Sequence, residues 1–166
     1  MALSPAVERY LMRSNIPFEV LNHPFSYNSL QSARNARISP SQLAKAVILK
    51  DRSHYLMCVV PSSNSLILNW LNRELEAHYE LASERELHKL FPDCETGAIP
   101  ALGTPYGIDV IWDRALRHTQ DVYLEGGDHR HLVHVTKDDF QTLMDDADLS
   151  TVSCASEALE IYRHIH

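Results

Sequence analysis

Few residues of this chain combine a reactive type with a spacing that suggests a task, and Lys45 comes first. In Ala44-Lys45-Ala46-Val47-Ile48-Leu49, strand alternation puts Lys45 on the face of Val47 and Leu49 and sends Lys50 to the other. If Val47 and Leu49 point into a core, Lys45 points into a pocket at the mouth of a sheet. An ammonium there is costly unless paired or used. The competing reading is a lysine that snorkels to solvent from the strand end.

The glycines are the second signal. All five fall in two places: Gly97, Gly103 and Gly107 in one loop, and the pair Gly126-Gly127. Glycine allows close backbone approach and unusual dihedrals, so that loop N–H groups can face a ligand. The loop Gly97-Ala98-Ile99-Pro100-Ala101-Leu102-Gly103-Thr104-Pro105-Tyr106-Gly107 is stiffened by two prolines and matches neither a dinucleotide fingerprint nor a phosphate loop. A plain turn between helix and strand would read the same way, and Gly126-Gly127 would equally suit a hairpin.

Other chemistries find little support. On a strand, His129 and His131 share a face and His134 lies opposite, so the three do not converge on one metal. No cysteine pair or H-E-x-x-H motif accompanies them. No metal or cofactor is therefore expected. Cys58, Cys94 and Cys154 are scattered and odd in number, as for reduced thiols, and nothing around Cys94 favours a thiolate. No G-x-S-x-G is present, and Ser62-Ser63 falls in an ordinary loop. What remains is a pocket built from one lysine and glycine-rich backbone. Such a site suits hydrolysis by a positioned water, with backbone dipoles stabilising the oxyanion.

The elements that must hold these residues are legible in outline. Ser4-Pro5 opens a helix carrying Val7, Tyr10 and Leu11. Strands are predicted at Phe18 to Leu21, Lys45 to Leu49, Tyr55 to Val60, Asp109 to Trp112, Asp121 to Leu124 and His131 to Val135. The second and third are apolar on both faces, as in the middle of a covered sheet. Helices are predicted at Ser29 to Arg37, Leu66 to Leu75, Glu84 to Leu90 behind the capping box Ser83-Glu84-Arg85-Glu86, and from Thr136 through Met144. A helical turn is expected at Ser39-Pro40 and a helical tail over Ser156 to His164. Irregular alternation of strands and short helices indicates a mixed α/β (α+β) fold.

The 166 residues fit one domain, 1–150, followed by a C-terminal helical tail, 151–166. No segment nears the ~20 apolar residues of a membrane span, and Met1-Ala2-Leu3-Ser4-Pro5 lacks the basic and apolar regions of a signal peptide. A cytoplasmic location and no membrane partner are therefore expected. With 15 basic and 22 acidic residues the net charge is −7. That counts against a broad basic surface for DNA or RNA, so any nucleic-acid contact must be local.

The order and spacing of these features resemble the YbaK/prolyl-tRNA synthetase-associated editing domains, which hydrolyse mischarged proline tRNA in trans or as an insert in the synthetase. The resemblance runs from about Ile16 to Met144. It rests on His23 after the first strand, the Lys45 to Leu49 strand, Val59-Val60-Pro61, Gly97 to Gly103, Ile108 to Asp113, and Val122-Tyr123-Leu124-Glu125-Gly126-Gly127. It implies a curled, barrel-like mixed sheet with flanking helices, Lys45 as the essential lysine, and a substrate pocket shaped by His23 and Gly97, Ala98, Ile99, Pro100, Ala101 and Gly103. Gly126 and Gly127 would then lie near the terminal adenosine. The implied activity is that of an aminoacyl-tRNA deacylase without cofactor. Its partners would be the acceptor end of aminoacyl-tRNA and, in some settings, a synthetase, but not DNA. In the family the loop reads Gly-x-x-x-Pro, which places proline at 101; here Pro100 comes one step earlier and Ala101 follows. A non-catalytic binding or regulatory module on the same fold is the alternative.

Overall fold

The computed structural model describes residues 3–159. Alternation along two strands sets its layers. In β2 (Leu43–Asp51) and β3 (His54–Pro61), Ala44, Ile48, Met57 and Val59 enter the larger hydrophobic cluster, while Leu49, Leu56, Cys58 and Val60 enter a second one. Both strands are apolar on each face because both faces are covered.

Around this pair lies a mixed sheet. β1 (Glu19–Asn22), β8 (His131–Thr136), β7 (Asp121–Glu125), β2, β3, β6 (Asp109–Asp113) and β9 (Asp148–Ser150) follow one another in space, and the short β5 (Glu80–Leu81) also pairs with β2. The β2–β7, β3–β6 and β6–β9 pairs are parallel; β1–β8, β7–β8, β2–β3 and β2–β5 are antiparallel. The mixed α/β architecture is the expected one. The barrel-like curl does not close, since β1 and β9 end the path as separate edges.

Helices flank the sheet where their caps predict. α1 (Pro5–Arg13) starts at Ser4, whose side chain accepts from the Val7 amide, and buries Val7 and Leu11. α2 (Ser29–Ala36) is capped by Asn28, α4 (Glu84–Leu90) by a complete capping box at Ser83 and Glu86, and α5 (Lys137–Leu143) by Thr136. α1 and α5 supply the larger cluster with Val7, Leu11 and Phe140, and α3 (Leu68–Leu75) covers the second with Leu71.

Two local departures share one cause. The helix expected from Leu66 starts at Leu68, because Asn64–Leu66 forms β4 and pairs antiparallel with β10 (Ser153–Ala155). Residues 153–155 of the expected helical tail are thus strand; a 3₁₀ turn at Ser156–Ala158 stands where the helix from Ser156 is predicted to start, and residues 160–164 of that helix lie outside the described residues. A buried carboxylate makes this pairing possible. Asp113 Oδ2 accepts from the Val152 amide and from Ser153 Oγ, both at 2.9 Å, while its Oδ1 accepts from the Ala115 amide at 2.8 Å. None of these partners is near in sequence to β4, so local propensity carries no trace of the contact. No helix among the described residues is long and apolar enough to cross a membrane.

Candidate functional site

β2, the start of α2, α4 and the glycine loop together enclose a cavity of about 330 Å³. Ala46, Ile48, Leu87 and Ile99 give it apolar walls; Lys45, Ser29, Asn28, Glu84, Thr96 and Gly97 give it polar ones. A larger cavity of about 470 Å³ lies elsewhere, where Asp109, Asp146 and Asp148 face His54 and Tyr79. It contains neither the lysine nor the Gly97 turn.

Lys45 pairs with Val60 in the sheet and is half-buried. Its Nζ donates to Asn64 O at 3.1 Å, and burial holds its pKa below the usual lysine value. No carboxylate lies within ion-pair distance of it among the described residues. A partly desolvated ammonium held by one neutral carbonyl keeps donors for a ligand, and the absence of a counter-charge is costly without one.

The glycine loop divides into a wall and its support. Thr96, Gly97 and Ile99 line the cavity, and their backbone N–H groups form no hydrogen bond among the described residues. Gly97 has φ +87, and a Cβ there would stand 3.0 Å from Tyr27 O and 3.2 Å from His129 Cε1. Both the dihedral and the close approach exclude a side chain. Ala98, Pro100, Ala101 and Gly103 are buried behind this wall and do not line the cavity. At Gly103 a Cβ would meet Ile108 O at 2.2 Å, so this glycine is fixed by packing. Ala101, the position that departs from the family's proline, is fully buried in the larger cluster.

The histidines separate. His129 precedes the strand, in a turn with φ +64. It is buried against the loop, with Nε2 donating to Thr96 O at 2.7 Å and Nδ1 left without a partner among the described residues. Reading 129–131 as continuous strand hid this contact. His131 instead pairs with Asp128, and His134 with Asp121 while stacking on Tyr123. Among the described residues no three His, Cys, Asp or Glu are grouped to hold a metal. His23 is buried beside the β8 turn, its amide donating to Arg130 O at 2.9 Å and its Nδ1 to Pro24 O at 2.7 Å; it does not line the cavity.

Gly126 and Gly127 also stand apart. Gly126 O accepts from the Ser4 amide at 2.8 Å, and Gly127, at φ +108, packs on Ser4 and Cys94. They seat the start of α1, and Gly127 borders a separate pocket with Asp93 and Cys94. Burial pushes the Cys94 thiol up to about 12, which leaves no thiolate at neutral pH.

One residue that sequence reasoning passed over adjoins the cavity. Glu125 ends β7 with its side chain buried; Ser29 and Ser32 donate to Oε2 at 3.2 and 3.1 Å, and Oε1 has no partner among the described residues. Burial pushes this carboxyl up to about 7 against the pull of the two serines, and the Asp128 charge adds to the rise. Its only sequence signal was a carboxylate directly after the run Val122-Tyr123-Leu124. Since Ser29 lines the cavity, the carboxyl is one hydrogen bond from it.

Fold and cavity together define a small mixed α/β domain in which one lysine and glycine-loop backbone border the same cavity. The chain belongs to the family of the aminoacyl-tRNA editing domain, whose pattern matches residues 23–143. Among solved structures it is similar to the hypothetical protein APE2540, with a TM-score of 0.80 at 21% identity over 90% of this chain and 99% of that one. A candidate trans-editing enzyme for prolyl tRNA synthetase matches with a TM-score of 0.78 at 20% identity, over 92% of this chain and 99% of the other. A candidate signal transduction protein from Marinobacter aquaeolei VT8 matches at 0.71 and 22% identity, over 90% of this chain but 30% of that longer one. These likenesses establish the fold. A search of curated proteins finds no match.

Proposed function

We propose that the protein is a trans-editing aminoacyl-tRNA deacylase of the cytoplasm, which hydrolyses the ester of a proline tRNA carrying a small wrong amino acid. Such an enzyme answers a physical limit, because a synthetase pocket separates amino acids differing by a methylene by only ~1–3 kcal/mol. The observation that carries the reading is Lys45, half-buried at a small cavity without a carboxylate partner among the described residues. The apolar walls receive the aminoacyl side chain. Water attacks the ester carbonyl, whose developing negative charge meets the unbonded N–H groups of the Gly97 loop and the lysine ammonium. The bond from carbonyl carbon to ribose oxygen breaks, releasing the free amino acid and the tRNA hydroxyl.

The test is deacylation of proline tRNA charged with alanine, serine, cysteine or proline, by wild type and Lys45→Ala. Losing one preorganised donor of this kind costs roughly a hundredfold in rate or more. An unchanged rate with the fold intact by circular dichroism refutes the reading. The bond from Lys45 Nζ to Asn64 O favours the second reading, a non-catalytic module. Binding of charged tRNA without turnover by wild type would select it.

A further inference from the structure

The segment before α2 presents aromatic surface at the cavity's edge. Ser26 is buried, bonded to Ser32 Oγ at 2.6 Å and to His129 O at 3.4 Å. Anchoring it turns its neighbours outward: Phe25 is 40%, Tyr27 74% and Leu30 51% exposed. Phe25 and Tyr27 meet edge to face at 5.1 Å, and the Arg130 guanidinium lies 5.3 Å from the Phe25 ring centre. The next two residues, Asn28 and Ser29, line the cavity, and Tyr27 O closes on Gly97.

Charge is distributed to match. From Val20 to Lys50 there is no Asp or Glu in a chain holding 22 of them, and four of its Lys and Arg fall there. Arg34 and Arg37, on and just after α2, are exposed and form no ion pair among the described residues. The carboxylate beside Arg130, that of Asp128, is taken up by the Arg130 and His131 amides and the His131 ring. An exposed aromatic pair with a cation over one ring, on a chain segment without Asp or Glu, is the composition that holds unpaired nucleotides, by base stacking and phosphate contact.

We propose that Phe25 and Tyr27, with Arg130, form the stacking platform for the unpaired 3′ nucleotides of the RNA acceptor end, and that Arg34 and Arg37 take its phosphates. This rests on the deacylase reading for what the bound end carries, but not for the contact itself. The acidic balance of the whole chain then ceases to be an obstacle, because the RNA touches only this segment.

The test uses the full chain and two fluorescent hairpin RNAs, one with an acceptor stem ending in unpaired CCA and one trimmed to the duplex. Stacking on an aromatic ring contributes enough per base that the tailed RNA should bind wild type about tenfold more tightly than the trimmed one. Phe25→Ala/Tyr27→Ala should abolish that preference, while Leu81→Ala, at an exposed leucine on β5, should keep it. Arg34→Ala/Arg37→Ala should weaken both RNAs alike and flatten the salt dependence. Wild type that binds both RNAs equally, or an aromatic variant that keeps the preference, overturns the proposal and leaves the patch to a protein partner. The two readings fail separately. A tail preference without turnover on any charged tRNA sinks the deacylase and keeps the platform. Lysine-dependent turnover whose KM is unmoved in the aromatic variant does the reverse.

Discussion

Glu125→Gln should change the pH dependence of stability in a calculable way. The carboxyl is 1% exposed and is raised from 4.5 to about 7 by burial. A raised acid keeps its proton in the folded state over a range where the unfolded chain has released it. Stability therefore falls as pH rises from the unfolded value through the folded one, and levels off above it. Each pH unit of that gap corresponds to about 1.4 kcal/mol, so the ceiling is ~3 kcal/mol. Between about pH 5 and about pH 8 the wild type should lose ~2.5 kcal/mol through this group alone. Glutamine keeps an oxygen for Ser29 and Ser32 and cannot ionise. Its amide also lacks a partner where Oε1 lacks one, so absolute stability at low pH is not the readout; the difference between the two proteins is. Urea unfolding of both at half-unit steps gives that difference, and other titrating groups cancel in it. It should rise in favour of glutamine by ~2.5 kcal/mol across the range. Parallel curves would show that the Glu125 carboxyl is not raised in the folded protein, and the argument from burial would fail.

Two further substitutions test the supports of the site. Gly103→Ala puts a methyl 2.2 Å from Ile108 O, a backbone atom that cannot swing away, so stability should fall by about 2–3 kcal/mol. Calorimetry should show a melting point lower by roughly 5–10 °C; an unchanged value would contradict the packing role. Asp113→Ala removes the acceptor of the Val152 amide and Ser153 Oγ and should cost roughly 3 kcal/mol. Hydrogen exchange at Val152 should accelerate more than at Val59 in the core, and equal protection at both would show that β10 is held by other means.

Sequence alone determined what depends on near neighbours and on period. Ser4, Ser83 and Thr136 placed three helix starts because a cap and its amide lie within three residues. The apolar runs around Val47 and Cys58 announced central strands, since only a sheet covered on both faces buries both sets. Lys45 stood out by the same alternation. Only tertiary structure decided which glycines face the cavity. Gly97 does, while Gly103 is fixed by Ile108 and Gly126 by its contacts with Ser4 and His131, and one-dimensional pattern treats these glycines alike. It also turned His129 out of strand register onto Thr96, and brought Ser29 and Ser32 across 96 and 93 residues to Glu125. The same holds for β4 and β10, joined through Asp113. Contacts of that range depend on where two distant segments are carried by the sheet, and neither segment's own composition encodes the meeting.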